Sequence, residues 1–61
     1  MKDDFYHRIQ ALKPAPGFVV IGEKARAKAM KQAAELVKFE KIKFEVSTRE
    51  IEPGKFKVFA L

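Results

Sequence analysis

Residues 17–39 read GFVVIGEKARAKAMKQAAELVKF, and this stretch decides the fold. Its first part, Phe18–Ile21, is aromatic and β-branched throughout and lies between two glycines, which is typical of a short strand. Because this strand has no polar position, we expect it to be covered on both faces or at least central in its sheet. Its second part, from Glu23 to about Phe39, changes to residues that favour a helix.

This predicted long helix divides into two arcs when its residues are placed at about 100° each. One arc is polar and is predicted to face solvent: Lys24, Lys28, Lys31, Gln32, Glu35 and Lys38. The other is apolar and is predicted to be buried: Ala25, Ala27, Ala29, Met30, Ala33, Ala34, Leu36 and Val37. Arg26 lies among the apolar positions. Because the buried arc is mostly Ala, the helix backbone can lie close to a small sheet.

The segment before the strand predicts a short N-terminal helix. Asp3 or Asp4 can cap its first turn, and Pro14 ends it. One face of this helix is apolar, comprising Phe5, Ile9 and Leu12. The run from Pro14 to Gly17 then predicts a turn.

The C-terminal segment predicts a hairpin. Residues 42–49 alternate apolar and polar, which places Ile42, Phe44 and Val46 toward the core. A Pro-Gly pair within residues 52–55 predicts a reverse turn, and residues 55–61 resume the alternation. We therefore predict a single α+β domain over residues 1–61. Its order is a short N-terminal helix and then β-α-β-β, with a right-handed crossover between the first two strands and the long helix on one face of a three-stranded sheet.

The other face of this sheet is predicted to be mixed. It carries Lys43, Glu45, Ser47, Arg49, Lys57 and Phe59, with either Val19 and Ile21 or Phe18 and Val20. Apolar side chains among basic ones need a cover. We expect that cover to be either the N-terminal helix, through its apolar face, or a second subunit.

Composition excludes several classes of protein. The 61 residues contain 13 Lys and Arg against 8 Asp and Glu, a net charge of +5, and no cysteine. Disulfides, thiolate zinc sites, iron-sulfur clusters and cysteine nucleophiles are thereby excluded. A domain this small, without disulfides or metal, is expected to gain stability by self-association as a homodimer. No apolar stretch approaches the length of a membrane span, so we expect no membrane partner and a cytoplasmic protein.

The sequence does not bring together the side chains that an active site would need. The single histidine, His7, has no evident partner, and Ser47 and Thr48 lie in a predicted strand without a nucleophile elbow. Gly22, before the long helix, stands alone, whereas phosphate loops need several glycines at fixed spacing. We expect no enzymatic activity, no cofactor, no metal and no small-molecule substrate.

Basic residues are the candidate binding groups. The lysines of the long helix either neutralise phosphates or form an ordinary solvated face moderated by Glu35. On the sheet, basic side chains flank Phe59, which either stacks on a base or belongs to the core or a dimer interface. Arg26 either reaches a phosphate or carboxylate or lays its stem across Ala25 and Met30. Its expected counter-ions are Glu50, Glu52 or an acid of a partner.

The segments Ile9-Gln10-Ala11-Leu12-Lys13-Pro14 and Gly17-Phe18-Val19-Val20 resemble short uncharacterised proteins of bacteriophages and mobile elements. Thr48-Arg49 and Phe56-Lys57-Val58-Phe59 fit the same pattern of a helix, a turn, a strand, an Ala-rich helix and a basic hairpin. This resemblance implies a small accessory phage-type protein, which would act in the host cytoplasm. It implies no biochemical activity.

Two hypotheses of function remain. The first is a dimeric basic module that contacts nucleic acid, DNA or RNA, through phosphates. Its candidate residues are Lys24, Arg26, Lys28, Lys31, Lys43, Arg49, Lys57 and Phe59. The second is an adaptor or inhibitor that binds a host protein through the sheet edge or the mixed sheet face.

Overall fold

The structure, a computed structural model, describes residues 5–13 and 16–61. Its elements are α1 (Tyr6–Gln10), β1 (Phe18–Ile21), α2 (Glu23–Lys38), β2 (Val46–Glu52) and β3 (Lys55–Ala60). Within the described residues the strands form one antiparallel sheet in the order β1-β3-β2. Side chains of both helices join the strands in one core on a single side of the sheet. The predicted α+β fold, with a long helix on one face of a three-stranded sheet, is confirmed.

β3 is the central strand, and β1 lies at an edge. The prediction that Phe18–Ile21 is central or covered on both faces is therefore wrong. The tight turn between β2 and β3 leaves one side of β3 free, and β1 pairs there, with Phe18 opposite Val58. Val20 of β1 is buried, but Ile21 is 66% exposed because both helices lie on the other face.

Two glycines join the hairpin to the start of α2. Pro53 and Gly54 form the two-residue turn between β2 and β3, and Gly54 has a φ of 78°, which favours glycine. The N–H of Gly22, the residue before α2, donates to the Gly54 carbonyl at 2.7 Å. The tip of the hairpin is thus tied to the β1–α2 junction.

β2 begins four residues later than predicted and runs to Glu52. The boundary is wrong because the chain first leaves α2 through Glu40, at a φ of 57°, and the Lys41 N–H donates to the Leu36 carbonyl at 2.8 Å. The predicted inward residues are confirmed. Ile42 is buried, and Phe44 and Val46 pack against the core.

α2 confirms the predicted long helix, but its buried stripe is narrower than predicted. Ala29, Ala33 and Leu36 are buried, whereas three residues of the predicted buried arc are exposed: Ala27, Ala34 and Val37. A single straight helix contacts a small sheet along one stripe, and Ala34 and Val37 lie beside that stripe at the β2 edge. Gln32 and Glu35, predicted to face solvent, are half-buried beneath α1.

α1 packs beside α2, so of the two covers expected for the other sheet face, the N-terminal helix is ruled out. Phe5 and Ile9 are buried in the core and Leu12 packs against it, which confirms their shared apolar face. The Phe5 N–H donates to Gln32 Oε1, and the Tyr6 hydroxyl donates to Glu35 Oε2, both at 2.7 Å. These bonds hold α1 on the helix side. The predicted cap at Asp3 or Asp4 and half of the predicted Pro14–Gly17 turn, Pro14 and Ala15, lie outside the described residues.

Candidate functional site

We call the face of the sheet opposite the helices the open face. Along each strand, successive side chains point alternately to the open face and to the buried face. Directly paired residues of antiparallel strands share a face, and the register assigns these residues to the open face: Val19, Ile21, Ser47, Arg49, Glu52, Lys55, Lys57 and Phe59. Of the two predicted alternatives for β1, the structure selects Val19 and Ile21. Lys43 precedes the sheet, so its predicted place on this face is wrong. Glu45 lies one residue before β2, where its carbonyl accepts a hydrogen bond from Leu61.

Two cations lie opposite each other at the centre of the open face. Arg49 of β2 and Lys57 of β3 are direct partners in the register. Like charges placed directly opposite in a sheet are destabilising. Among the residues that the structure describes, neither head group has an ion pair or a hydrogen bond. No described side chain therefore balances these two like charges.

Lys55 extends this basic row along β3. It lies two residues from Lys57 on the same strand face, at a separation of about 7 Å for two strand residues. Its ammonium group lies 3.8 Å from Glu52 Oε2, so its charge is partly balanced. Lys55 was not among the site residues predicted from the sequence, although it belongs to the Lys-x-Lys-x-Phe alternation of the last strand.

Apolar side chains flank the basic row. Phe59 is half-buried, lies outside the core cluster, and has Ser47 opposite it on β2 and Gly17 on its other side. Val19, opposite Lys57, and Ile21, opposite Lys55, are both exposed. The open face therefore interleaves cations with apolar groups, as the sequence predicted.

The lysines of α2 form a separate surface. Lys24, Lys28 and Lys31 are exposed on the helix, and α2 lies between them and the core. The seven predicted cations thus do not form one binding surface. Arg49 and Lys57 share the open face with Phe59, whereas the helix lysines point away from it.

Arg26 is held at the edge of the core. Its guanidinium lies 3.0 Å from Glu23 Oε2 and 5.3 Å from the centre of the buried Phe56 ring. Glu50 and Glu52 were the predicted counter-ions within the chain, and that prediction is wrong because Glu23, one turn earlier on the helix, is closer. Arg26 thus has a carboxylate and an aromatic partner within the fold.

The remaining chemistry-bearing residues are dispersed. His7 is exposed on α1. Within residues 5–13 and 16–61, no three His, Asp or Glu side chains are placed to hold a metal ion. No helix in the same part of the chain is long and apolar enough to cross a membrane.

Comparison of the chain with protein-family models, curated proteins and solved structures gives no match. The resemblance to phage and mobile-element proteins stays a prediction.

Proposed function

We propose that this protein binds single-stranded nucleic acid on the open face, with Arg49 and Lys57 contacting phosphates. The observation that carries this proposal is the opposed pair of cations, which lacks a counter-ion among the described residues. A phosphate placed between two cations relieves their repulsion and adds the entropy of released counterions.

The apolar neighbours of this pair favour a single strand over a duplex. A duplex offers phosphates on its outside and stacks its bases within, whereas a single strand can lay bases on a sheet surface. Phe59 supplies a ring and Val19 and Ile21 supply apolar area within one or two residues of the cations. With such a ligand, we expect the protein to act in the cytoplasm, and in the host cytoplasm if a phage encodes it.

Removing the central cations is expected to weaken binding by about tenfold or more. We expect the double variant Arg49→Ala, Lys57→Ala to reduce the slope of log affinity against log salt by about 1.4, since each lost single-strand phosphate contact accounts for about 0.7. The measurement is fluorescence anisotropy of labelled single-stranded DNA, single-stranded RNA and duplex DNA at several salt concentrations.

The matched control is Lys31→Ala, Lys38→Ala, which removes the same charge from the exposed side of α2. This control is expected to keep most of the affinity and the salt slope. If both double variants lose affinity equally, the open face is not the site. If the unaltered chain binds no nucleic acid even at low salt, the proposed function is wrong.

The exposed Val19 and Ile21 also favour a second candidate function. An acidic partner protein would meet the same cations and bury the same apolar groups. Capture of a host protein that survives nuclease treatment, and that is lost in Arg49→Ala, is the result expected from this alternative.

A further inference from the structure

A second apolar surface runs along the outer side of β2, and we call it the β2 flank. It is a groove of about 410 Å³ between α2 and the edge strand, lined mainly by Met30, Ala33, Ala34, Val37, Val46 and Leu61. Val37 is 48% exposed and Leu61 is 67% exposed. This groove lies beside the sheet edge, whereas the open face lies on the sheet surface.

The edge of β2 offers hydrogen-bonding groups next to this groove. The Leu61 N–H donates to the Glu45 carbonyl at 2.8 Å, so the backbone of Glu45 points toward β3. Because backbone direction alternates along an antiparallel strand, the N–H and C=O groups of Val46, Thr48 and Glu50 point outward. The sheet of the described residues ends at this edge. It can accept a further antiparallel strand.

The distribution of charge indicates which strand could pair with the β2 edge. The chain carries a net charge of +5, so two copies repel each other over most of their surfaces. The groove of the β2 flank is different, because its single charged lining residue is the acidic Glu45. Arg49, four residues later, lies on the same side of the alternating strand. One edge thus carries both members of an ion pair, as a self-complementary interface requires.

We propose that the β2 flank binds a second copy of this chain, with β2 of each copy paired antiparallel across a two-fold axis at Ser47. This register places Val46 opposite Thr48 of the partner subunit. It also places Glu45 opposite the partner subunit's Arg49 at both ends of the pair. Registers centred on Arg49 or Glu50 would place like charges opposite each other and are disfavoured.

The dimer joins the two sheets into one of six strands, with both α2 helices on the same side. The apolar surface of Met30, Val37 and Leu61 is then removed from water by contact with the equivalent side chains of the other copy. The two open faces become one continuous surface. An arginine has five N–H donors, so Arg49 can hold a carboxylate with one edge of its guanidinium and a phosphate with the other. The dimer does not depend on the proposed function, and only the enlarged binding surface rests on it.

Charge reversal tests the register. In sedimentation equilibrium the unaltered chain is expected to show twice its 7.0 kDa mass. Glu45→Arg alone and Arg49→Glu alone are each expected to weaken the dimer by about tenfold or more, since like charges then face each other. The double variant Glu45→Arg, Arg49→Glu is expected to restore it. A monomeric unaltered chain, or a double variant no better than the single ones, overturns the proposal.

Val37→Lys tests the apolar part of the interface. Because Val37 is half exposed, this variant is expected to keep the unaltered circular dichroism spectrum and to become monomeric. A folded Val37→Lys chain that remains dimeric overturns the proposal.

The variant Lys57→Ala separates the dimer from the proposed function, since this variant is expected to lose nucleic-acid affinity and to remain dimeric. A dimer that binds no nucleic acid contradicts the proposed function alone.

Discussion

Replacing Gly17 by Ala is expected to remove a large part of the stability of the protein. Gly17 has a φ of 67°, and a Cβ built there would overlap the Val58 carbonyl oxygen and lie 3.2 Å from Phe59 Cβ. The left-handed backbone costs about 1–2 kcal/mol for an L residue, and forcing atoms into a filled space costs about 1–3 kcal/mol. A domain of this length is stabilised by only about 3–9 kcal/mol. Since each kcal/mol shifts the midpoint of a domain this size by about 4–8 °C, we expect thermal denaturation to show a midpoint lowered by at least about 8 °C and by about 20 °C at the middle of the range.

Gly54→Ala is the matched control for this change. Gly54 also has a positive φ, of 78°, but a Cβ there meets no atom within 4 Å. Gly54→Ala should therefore carry the backbone cost alone, so its thermal midpoint should fall by about half as much as that of Gly17→Ala, by about 4–16 °C. Equal losses in the two variants would mean that β1 does not approach β3 as closely at Gly17 as the structure shows.

Replacing Ile9 by Ala is expected to lower the free energy of unfolding by about 3 kcal/mol. Ile9 is fully buried, so the truncation removes apolar contacts and leaves a cavity. α1 has only five residues, too few for a stable isolated helix, and its place depends on this side chain and on the bonds to Gln32 and Glu35. Urea denaturation followed by circular dichroism measures the change.

Ile21→Ala makes the same truncation at an exposed position. Because the Ile21 side chain lies largely in water, we expect a loss below about 1 kcal/mol. If Ile9→Ala costs no more than Ile21→Ala, α1 is not packed into the core.

The local pattern of the sequence predicts each element because each has a physical signal at short range. The change from β-branched residues to Ala and Lys at Glu23 marks the start of α2, and the Pro53-Gly54 pair marks the hairpin. Alternation along the last strand separates the buried Phe56 and Val58 from the open-face lysines. These signals determine which side of an element is buried.

The order of the strands in the sheet is not predicted in this way. Periodicity shows which face of a strand is buried, but it does not show which strands lie next to each other. The four apolar residues of β1 suggest a strand covered on both faces, yet Val19 and Ile21 are exposed beside Lys57 and Lys55. Arg49 and Lys57 were both predicted from the sequence as candidate binding residues. That they lie directly opposite each other depends on the hairpin register, which a turn signal alone leaves open.

The place of β3 has a consequence for synthesis on the ribosome. β3 follows β1, α2 and β2 in the chain but lies between the two earlier strands in the sheet. Until residues 55–60 leave the exit tunnel, β1 and β2 have no strand to pair with, and α2 has no complete surface to cover. The nascent chain therefore holds two unpaired strands at once, the apolar β1 and the mixed β2, and unpaired strand edges are prone to aggregation. The sheet therefore forms in a single late step, when β3 inserts between β1 and β2, which have been synthesised earlier.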